Sequence, residues 1–354
     1  MAEITLIMPV KNCDTSLVQS LRSIINQSLE DFELICIDDN SSDNSLQILN
    51  YHSINDKRIR VYQNKDNLME LLNRIICNAS GEYILFVDSL NMLSENTLEK
   101  IYVQAKITQS DLLISSPSNE RHEETFKYLS RIVGNNTFNH QKIHEIIFDV
   151  YDNPFNVLYS RDMLIDSSIR FNDNHDDHEL FFYKALIKSE RITYTEDKLY
   201  KTNNKPSLPE DSQFNEYIIT QNSVRDFFTG QNYATEANNN KIIKTKTKYE
   251  NLPFNLKKEA FKILRNDYMK KLDENEQFIE SLSNSNRKVF EQIIISQTPE
   301  EYELLKQVYN DKRHINFMNR YSVILNTEHQ KVKNFNNSLV SSNSWKLTKI
   351  FRLI

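Results

Sequence analysis

The chain has 354 residues, of which 39% are hydrophobic, so it can form two domains or one domain with an extension, and we expect the second arrangement. Its formal net charge of -6 gives no basic excess of the kind that nucleic-acid-binding proteins show, so we expect no nucleic-acid partner. It contains only 3 glycines, and neither a GxGxxG nor a GxxxxGK[ST] phosphate loop is present. A bound phosphate would therefore be held by a metal ion, basic side chains or helix N-termini.

The cysteines and the apolar segments indicate a cellular compartment. Cys13, Cys36 and Cys77 lie far apart and form no CxxC pair, so neither a disulfide framework nor a zinc site is predicted. No apolar run reaches the roughly 18 to 20 residues that span a bilayer. The first residues are too few and too acidic for a signal peptide. We therefore expect a cytoplasmic protein, and peripheral attachment to the inner face of the membrane stays open.

Short apolar runs alternate with helical patterns over the first two hundred residues. Strands are predicted at 4–10, 33–37, 59–62, 83–87, 111–115 and 156–159. Helices are predicted between them, at about ten residues around Leu17–Ile25 and then at 45–50, 68–78, 94–109, 141–150 and 178–189, with Ser94 as the N-cap of the fourth. Such alternation predicts an α/β fold with a doubly wound, mostly parallel sheet.

A composition shift at residues 201–211, which are rich in Pro and Asn, predicts a domain boundary. We expect an α/β domain over residues 1–205 and a mainly helical region over 206–354, with amphipathic helices near 256–272 and 299–309. This region would serve binding of a further ligand, oligomerisation or membrane association. The basic amphipathic tail at 343–354 fits either a membrane interface or a helix docked on the protein's own core or on a partner chain, so homo-oligomerisation stays open.

Carboxylates follow two of the predicted strands. Asp38 and Asp39 end the second strand, and Asp88 follows the fourth. Open α/β sheets bind ligands beyond the carboxyl ends of their strands, so these groups are candidates for nucleotide contact. The run Asp-Asp-Asn-Ser-Ser-Asp can equally form a turn and cap a helix. A calcium loop is not supported, because the required Gly and the distal Glu are missing.

Four motifs occur together in a characteristic order: PVKN at 9–12, LRSIINQSLEDFELICIDDNSSDNS at 21–45, ASGEYILFVDS at 79–89 and NHDDHELF at 174–181. In this order and spacing the chain resembles the family 2 glycosyltransferases of the GT-A fold over about residues 4 to 200. The resemblance implies a GT-A-like sheet, a UDP-sugar donor and, as acceptor, a hydroxyl of a bacterial surface glycan, teichoic acid or glycoprotein.

The resemblance also implies roles for individual residues. Asp177 would be the general base of an inverting transfer, with Asp176 as its orienting neighbour, although an Asp-rich helix N-cap is the alternative for this pair. The residues implied in nucleotide binding are Pro9, Val10, Asn12, Asp38, Asp39, Asn73, Asp88 and Ser89.

Two departures from the family pattern affect the phosphate side of the site. Leu90 stands where relatives carry the second acid of an Asp-x-Asp motif, so Mg²⁺ or Mn²⁺ would rely on Asp88 and Asn91 and bind weakly or not at all. Leu71 and Leu72 occupy the places of an Ala-Arg pair, which removes an arginine that contacts the nucleotide. Arg74 is the nearest candidate to replace it. The two leucines also fit the buried face of a helix.

These departures leave two functions open. The first is an inverting glycosyltransferase that uses a UDP-sugar. The second is a non-catalytic glycosyltransferase-like subunit for binding or assembly, with a degenerate metal site. A nucleotidyltransferase is disfavoured because such enzymes usually present a Gly-rich loop near the N-terminus.

Overall fold

The structure is a computed structural model that describes residues 2–65, 67–116, 123–134, 136–150, 154–172, 178–201, 211–274 and 276–310. The chain divides into two compact units, Met1–Leu208 and Pro209–Ile354, which we call the sheet unit and the helical unit. The tail at 343–354 lies outside the described residues, as do Asp176 and Asp177.

The described part of the sheet unit contains one seven-stranded sheet with the strand order β3-β2-β1-β4-β6-β5-β7. β1, β2, β3 and β4 are parallel to one another, β6 is antiparallel to its neighbours β4 and β5, and β7 is parallel to β5. The strands are β1 Ile4–Val10, β2 Phe32–Asp38, β3 Ile59–Gln63, β4 Tyr83–Phe86, β5 Leu112–Ser116, β6 Val157–Ser160 and β7 Ile192–Lys198. The predicted α/β fold with a mostly parallel sheet is thus confirmed.

Helices connect most of these strands. They are α1 Asp14–Ile25, α2 Ser45–Asn55, α3 Leu68–Asn78, α4 Thr97–Thr108, α5 Glu123–Val133, α6 Arg161–Asp166 and α7 His178–Lys188. As predicted, α3 buries Leu71 and Leu72, which are 8% and 0% exposed.

Two predictions about helices were wrong. Instead of an α-helix at 141–150, the chain forms a 3₁₀ helix at His140–Ile146, because the β-branched Ile143 adopts φ -115° and ψ 19° and interrupts the helical geometry. Ser94 does not cap α4, which begins at Thr97 with Asn96 as its N-cap. The Ser94 N–H instead donates to the carbonyl of Leu199 at 2.7 Å, in a strand-like contact between two loops.

The sheet is covered on both faces. On one face, α1, α2 and α4 contribute Leu21, Leu49 and Ile101 to a core that includes Met8 and Cys36. The opposite face carries a cluster of aromatic rings around the end of β4, formed by Phe86, Tyr159, Phe171, His178 and Phe181. All seven residues of β2 are buried, which explains why parallel strands of this kind read as continuous apolar runs.

The helical unit is built from α8 Asp211–Thr229, α9 Ala234–Glu250, α10 Phe254–Glu274, α11 Glu276–Ser281, α12 Asn284–Ile295 and α13 Pro299–Asn310. The predicted helical character of this region is confirmed for the part that the structure describes. Its core includes a charged group: Nζ of the buried Lys241 donates to Asp267 Oδ2 and to Asn222 Oδ1, both at 2.6 Å. Within the described residues, no helix combines the length and the apolar character needed to cross a bilayer.

Candidate functional site

The order of the strands creates a crevice at one edge of the sheet. From β1 the chain moves outward to β2 and β3, and then returns to place β4 on the other side of β1. The carboxyl ends of β1 and β4 therefore form a topological switch point, which is where open α/β sheets bind ligands. β2 and β4 flank β1, so their ends lie about 10 Å apart, a distance that a nucleoside diphosphate spans.

Pro9 helps to open this crevice. Val10 accepts a hydrogen bond from β2 and Ile7 accepts one from the β4 side, and because alternate residues of a parallel strand face opposite neighbours, Pro9 also faces β4. Proline has no N–H to donate, and the pairing of β1 with β4 stops at Ile7 and Phe86. The side chain of Val10 is fully buried in the core, so Val10 contributes to the crevice through its backbone.

Asp39 lies at the end of β2 between two hydrogen-bond donors. Its Oδ2 is 3.0 Å from Nζ of Lys11, and its Oδ1 accepts from Nδ2 of Asn64 at 2.7 Å. The Asp39 N–H donates to the Val10 carbonyl at 2.8 Å, which fixes the residue against β1. Asn64 is buried and the Asp39 side chain is 21% exposed, whereas that of Lys11 is 65% exposed. One carboxylate is thus held at the crevice with a donor on each side.

The neighbouring polar residues stabilise the loop. The Asp38 side chain is buried, and its Oδ1 accepts from the Ser41 N–H at 3.4 Å. Asn12, with φ 49°, accepts at Oδ1 from the Ser42 N–H at 2.8 Å. Asp43 accepts from the N–H groups of Asp14 and Ser45, both at 3.0 Å, and hydrogen bonds from Ser45 and the Asp14 backbone lower the pKa of its carboxyl. The polar run therefore forms the turn, and one of its carboxylates, that of Asp39, lies at the crevice. The predicted nucleotide contacts of Asp38 and Asn12 stay predictions.

Asp88 follows β4 and closes a turn. Its Oδ1 accepts from the Leu90 N–H at 2.9 Å, and its Oδ2 accepts from Nδ2 of Asn91 at 2.6 Å. The hydroxyl of Tyr200 accepts from the Asp88 N–H at 3.4 Å, and the Ser20 hydroxyl donates to the Asp88 carbonyl at 3.2 Å. Burial raises the pKa of Tyr200, which keeps this phenol protonated. The loop that carries Asp88 is thereby held from two sides.

Ser89 and Leu90 both contact the protein interior, and the predicted nucleotide contact of Ser89 stays a prediction. Ser89 is buried, and its hydroxyl contacts the thiol of Cys13, whose pKa is raised by burial. Leu90 packs against the hydrophobic core that α1 and α4 share. At the position where relatives carry the second acid of the Asp-x-Asp motif, this chain therefore has a side chain that packs against the core.

Asn73 joins α3 to a distant loop. Its Nδ2 donates to the carbonyl of Phe171 at 2.9 Å, and the Phe171 N–H donates back to its Oδ1 at 2.9 Å. The amide is 9% exposed and both of its ends are engaged by this backbone. A nucleotide contact by Asn73 was predicted from the resemblance and stays a prediction; the structure gives Asn73 a positioning role.

The aromatic cluster brings the end of β4 close to the start of α7. The ring of Phe86, two residues before Asp88, lies 5.7 Å from that of His178. The Phe171 and His178 rings are 4.9 Å apart. His178, the residue that follows the predicted general base in the sequence, therefore lies next to the end of β4.

The comparisons with known proteins agree with this geometry. Residues 5–167 match the family model described as Glycosyl transferase family 2. Residues 5–167 therefore match the family 2 glycosyltransferases, over slightly less than half of the chain. This region contains β2 to β6 and β1 from its second residue onward, together with Lys11, Asp39, Asn64, Asn73 and Asp88, whereas Phe171, His178 and Tyr200 lie beyond it.

Two curated relatives align with about a third of this chain. Glycosyltransferase GlyG of Streptococcus pneumoniae is 34% identical over 115 residues, which cover 32% of this chain and 38% of GlyG. The poly(ribitol-phosphate) beta-glucosyltransferase of Bacillus spizizenii is 36% identical over 117 residues, which cover 32% of this chain and 18% of that protein. The chain therefore spans well under half the length of either relative.

Solved structures share the fold. S. aureus TarS 1-349 in complex with UDP-GlcNAc matches with a TM-score of 0.62 and 19% identity, covering 87% of this chain and 91% of that one. The mannosyltransferase PcManGT from Pyrobaculum calidifontis, solved with GDP-Man and Mn²⁺, matches with a TM-score of 0.50 and 12% identity, covering 78% of this chain and 81% of that one. At these identities the matches establish the GT-A type of fold and no more.

The crevice provides few protein ligands for a divalent cation. The described residues contain no group of three His, Cys, Asp or Glu side chains that would hold a metal ion. Asp88 supplies one carboxylate, and both of its oxygens already accept hydrogen bonds. Mg²⁺ often binds one or two protein carboxylates together with phosphate oxygens. The single carboxylate of Asp88 is the smallest number of protein ligands in that range. We derive no catalytic step from a metal.

Three residues of the site were missed from the sequence. Lys11 is part of the PVKN motif but was not assigned a role, and Asn64 directly follows β3. Tyr200 lies 112 residues from the Asp88 that it contacts. Lys11 and Asn64 both follow strand ends at the crevice, and that position was the signal that could have identified them.

Proposed function

We propose that this protein is an inverting glycosyltransferase that moves a sugar from a UDP-sugar to a hydroxyl group of a bacterial surface polymer. The observation that carries the proposal is the set of hydrogen-bonding groups around Asp39. The family assignment of residues 5–167 and the UDP-GlcNAc complex of the similarly folded TarS support it.

The groups around Asp39 complement uracil. The edge of uracil presents an acceptor, a donor and an acceptor in sequence, namely O4, N3–H and O2. Lys11 Nζ, the Asp39 carboxylate and Asn64 Nδ2 present a donor, an acceptor and a donor. An ammonium carries three protons and a primary amide two, so each donor has protons beyond the one given to Asp39. Guanine presents one acceptor followed by two donors, and cytosine one donor followed by two acceptors, so both would place like groups against each other.

The reaction proposed is a single displacement. Asp177 takes the proton of the acceptor hydroxyl while its oxygen attacks the anomeric carbon of the sugar. The bond from that carbon to the diphosphate oxygen breaks, and its electron pair leaves with UDP, so the anomeric configuration inverts. Asp176 orients Asp177. Asp88, at the switch point, lies beside the ribose and the diphosphate.

The acceptor is a repeating surface polymer in this proposal. The B. spizizenii relative is a poly(ribitol-phosphate) glucosyltransferase, and a second relative, TarP of Staphylococcus aureus, is a poly(ribitol-phosphate) beta-N-acetylglucosaminyltransferase. Both names describe sugar transfer to a polyol phosphate chain. We extend that class of acceptor to this protein.

One observation favours a second candidate function, a nucleotide-binding subunit that transfers no sugar. Leu90 packs into the core at the position of an acidic ligand, so the charge of a departing diphosphate has one carboxylate fewer to bind its counter-ion. The two functions share the nucleotide site and differ in turnover.

Calorimetric titration of the full chain with UDP, CDP and GDP tests the proposal. We expect UDP to bind at least tenfold more tightly than CDP or GDP, and Asp39→Ala to abolish the difference. Asp162→Asn removes a carboxylate that is 86% exposed and outside the crevice, and it should leave all three affinities unchanged. No heat with UDP would contradict both candidate functions. UDP binding without consumption of any UDP-sugar in the presence of polymer would favour the second.

A further inference from the structure

A second polar groove lies in the sheet unit, outside the crevice that holds Asp39 and Asp88. Its volume is about 640 Å³, and it lies between α3 and the segment that leads to residue 172. Glu70, Asn73 and Arg74 line it from α3, and Arg170, Phe171 and Asn172 line it from the opposite side. We call it the arginine groove.

The Asn73–Phe171 pair fixes the two arginines relative to each other. Arg74 directly follows Asn73, and Arg170 directly precedes Phe171, so the two reciprocal hydrogen bonds of 2.9 Å hold both arginine backbones at one place. Nζ of Lys184 donates to the Arg170 carbonyl at 3.2 Å and adds a further tie on that side. The groove is therefore preorganised, which reduces the entropic cost of binding a ligand.

The charge of the groove is not neutralised internally. Within the described residues, neither the Arg74 nor the Arg170 guanidinium forms an ion pair, although both are exposed. Glu70 lies one helical turn before Arg74 and is the one carboxylate among the lining residues, and it forms no ion pair with Arg74. Two guanidinium groups against one carboxylate leave the groove with a net positive charge.

The groove also lies close to His178, the residue that follows the proposed general base in the sequence. The Phe171 ring, which forms part of its lining, is 4.9 Å from the ring of His178, the residue after Asp177. A polymer that presents a hydroxyl to Asp177 would therefore extend over or close to this groove.

We propose that the arginine groove binds a phosphodiester group of the acceptor polymer, adjacent to the unit that is glycosylated. This inference rests on the proposed function and adds a binding site for the acceptor. A guanidinium presents a planar fork of donors that matches two oxygens of a phosphate. A phosphodiester in a chain exposes two non-bridging oxygens, so two arginines on opposite walls can each contact one.

The test is equilibrium binding of poly(ribitol phosphate) to the full-length protein, with Arg74→Gln, Arg170→Gln and the double variant. We expect the double variant to bind at least tenfold more weakly, with a smaller dependence of affinity on salt concentration. Arg22→Gln, which removes an exposed guanidinium from α1, is the matched control and should bind like the wild type. The UDP affinity of Arg170→Gln and of Arg22→Gln should be unchanged.

Three results would overturn the inference. The first is an unchanged affinity of the double variant for poly(ribitol phosphate), and the second is an equal loss of that affinity in Arg22→Gln. The third is that the wild type binds polygalacturonate as tightly as poly(ribitol phosphate), since polygalacturonate carries similar charge on carboxylates and has no phosphate. Failure of UDP to bind the wild type would instead reject the proposed function. The two failures are distinguishable because they are read from different ligands.

Discussion

Asn73 and Phe171 exchange two hydrogen bonds of 2.9 Å each, across 98 residues of sequence. One side chain thus satisfies both polar groups of a buried backbone unit. Through Phe171 it also supports the ring contact with His178, the residue that follows Asp177 in the sequence. This relationship connects α3 to the catalytic end of the sheet unit, and it explains why an asparagine at position 73 is useful even when the neighbouring Ala-Arg pair is replaced by leucines.

We predict that Asn73→Ala destabilises the protein by about 2 to 3 kcal/mol, because two hydrogen bonds are lost and the Phe171 N–H and carbonyl stay buried. The rate of sugar transfer should fall by a larger factor than the UDP affinity, because the loss of the Asn73–Phe171 hydrogen bonds is expected to displace the proposed base, Asp177. Chemical unfolding and UDP titration check the two parts. Asn78→Ala removes an exposed amide from the same helix and should change stability by less than about 0.5 kcal/mol. Equal effects of the two substitutions would contradict the positioning role.

We predict that Lys11→Met weakens UDP binding about fivefold to tenfold, which corresponds to about 1 kcal/mol for a partly solvated charged hydrogen bond. CDP affinity should change less, because cytosine presents a donor where uracil presents O4. The preference for UDP over CDP therefore narrows. Lys57→Met, at an exposed turn before β3, is the control. A uniform loss for both nucleotides would show that Lys11 acts through general charge and does not read the base.

We predict that Asn91→Asp raises the affinity for Mn²⁺ about tenfold or more in the presence of UDP. The Asn91 amide lies 2.6 Å from Asp88 Oδ2, so the substitution places a second carboxylate beside the first, and hard divalent ions prefer such oxygen ligands. Asn91→Ala breaks the same hydrogen bond without adding charge and should leave Mn²⁺ affinity near the wild-type value. Titration with Mn²⁺ at saturating UDP measures both. If Asn91→Asp does not raise the affinity for Mn²⁺, the diphosphate of UDP does not bind beside Asp88 and Asn91.

We predict that Lys241→Met destabilises the protein by about 3 to 5 kcal/mol at neutral pH, because Asp267 is left buried without its partner. Replacing both residues, as Lys241→Met with Asp267→Leu, should recover most of this loss, since a buried ion pair contributes little net stability. Thermal unfolding of the three proteins provides the comparison. A double variant as unstable as the single one would show that the pair itself is required.

The same lysine predicts a pH dependence. Desolvation lowers the pKa of Lys241 to about 8 from the ordinary 10.5, with Asp267 opposing the shift. Between these two values the unfolded state binds more protons than the folded state, so this group's contribution to the free energy of unfolding rises as the pH increases from about 8 toward 10. The difference in stability between the wild type and the double variant should follow that rise. A flat difference would contradict it.

Much of the fold could be predicted because its signals are local. The buried runs of β1 to β4 and the apolar face of α3 lie in continuous sequence, and the polar residues after β2 and β4 marked the ligand-binding edge. The 3₁₀ helix at His140–Ile146 and the cap of α4 were predicted wrongly, because the geometry of Ile143 and the engagement of Ser94 by Leu199 depend on the packed structure.

The different contacts of the acidic residues could not be predicted from the sequence. Asp38 and Asp39 are equivalent in sequence, and they are distinguished by partners far along the chain, Lys11 and Asn64, which lie 28 and 25 residues from Asp39. Leu90 was interpreted as a lost ligand, and its packing against the core is a contact that the sequence did not predict. Such assignments depend on tertiary contacts.

The central claim is that Asp177 acts as the base of a sugar transfer whose donor binds at Asp39 and Asp88. The most direct measurement compares Asp177→Asn with the wild type in UDP affinity and in transfer from UDP-glucose or UDP-GlcNAc to poly(ribitol phosphate). We predict that transfer falls at least about hundredfold while the UDP dissociation constant stays within about twofold. Transfer at the wild-type rate in Asp177→Asn would contradict this account.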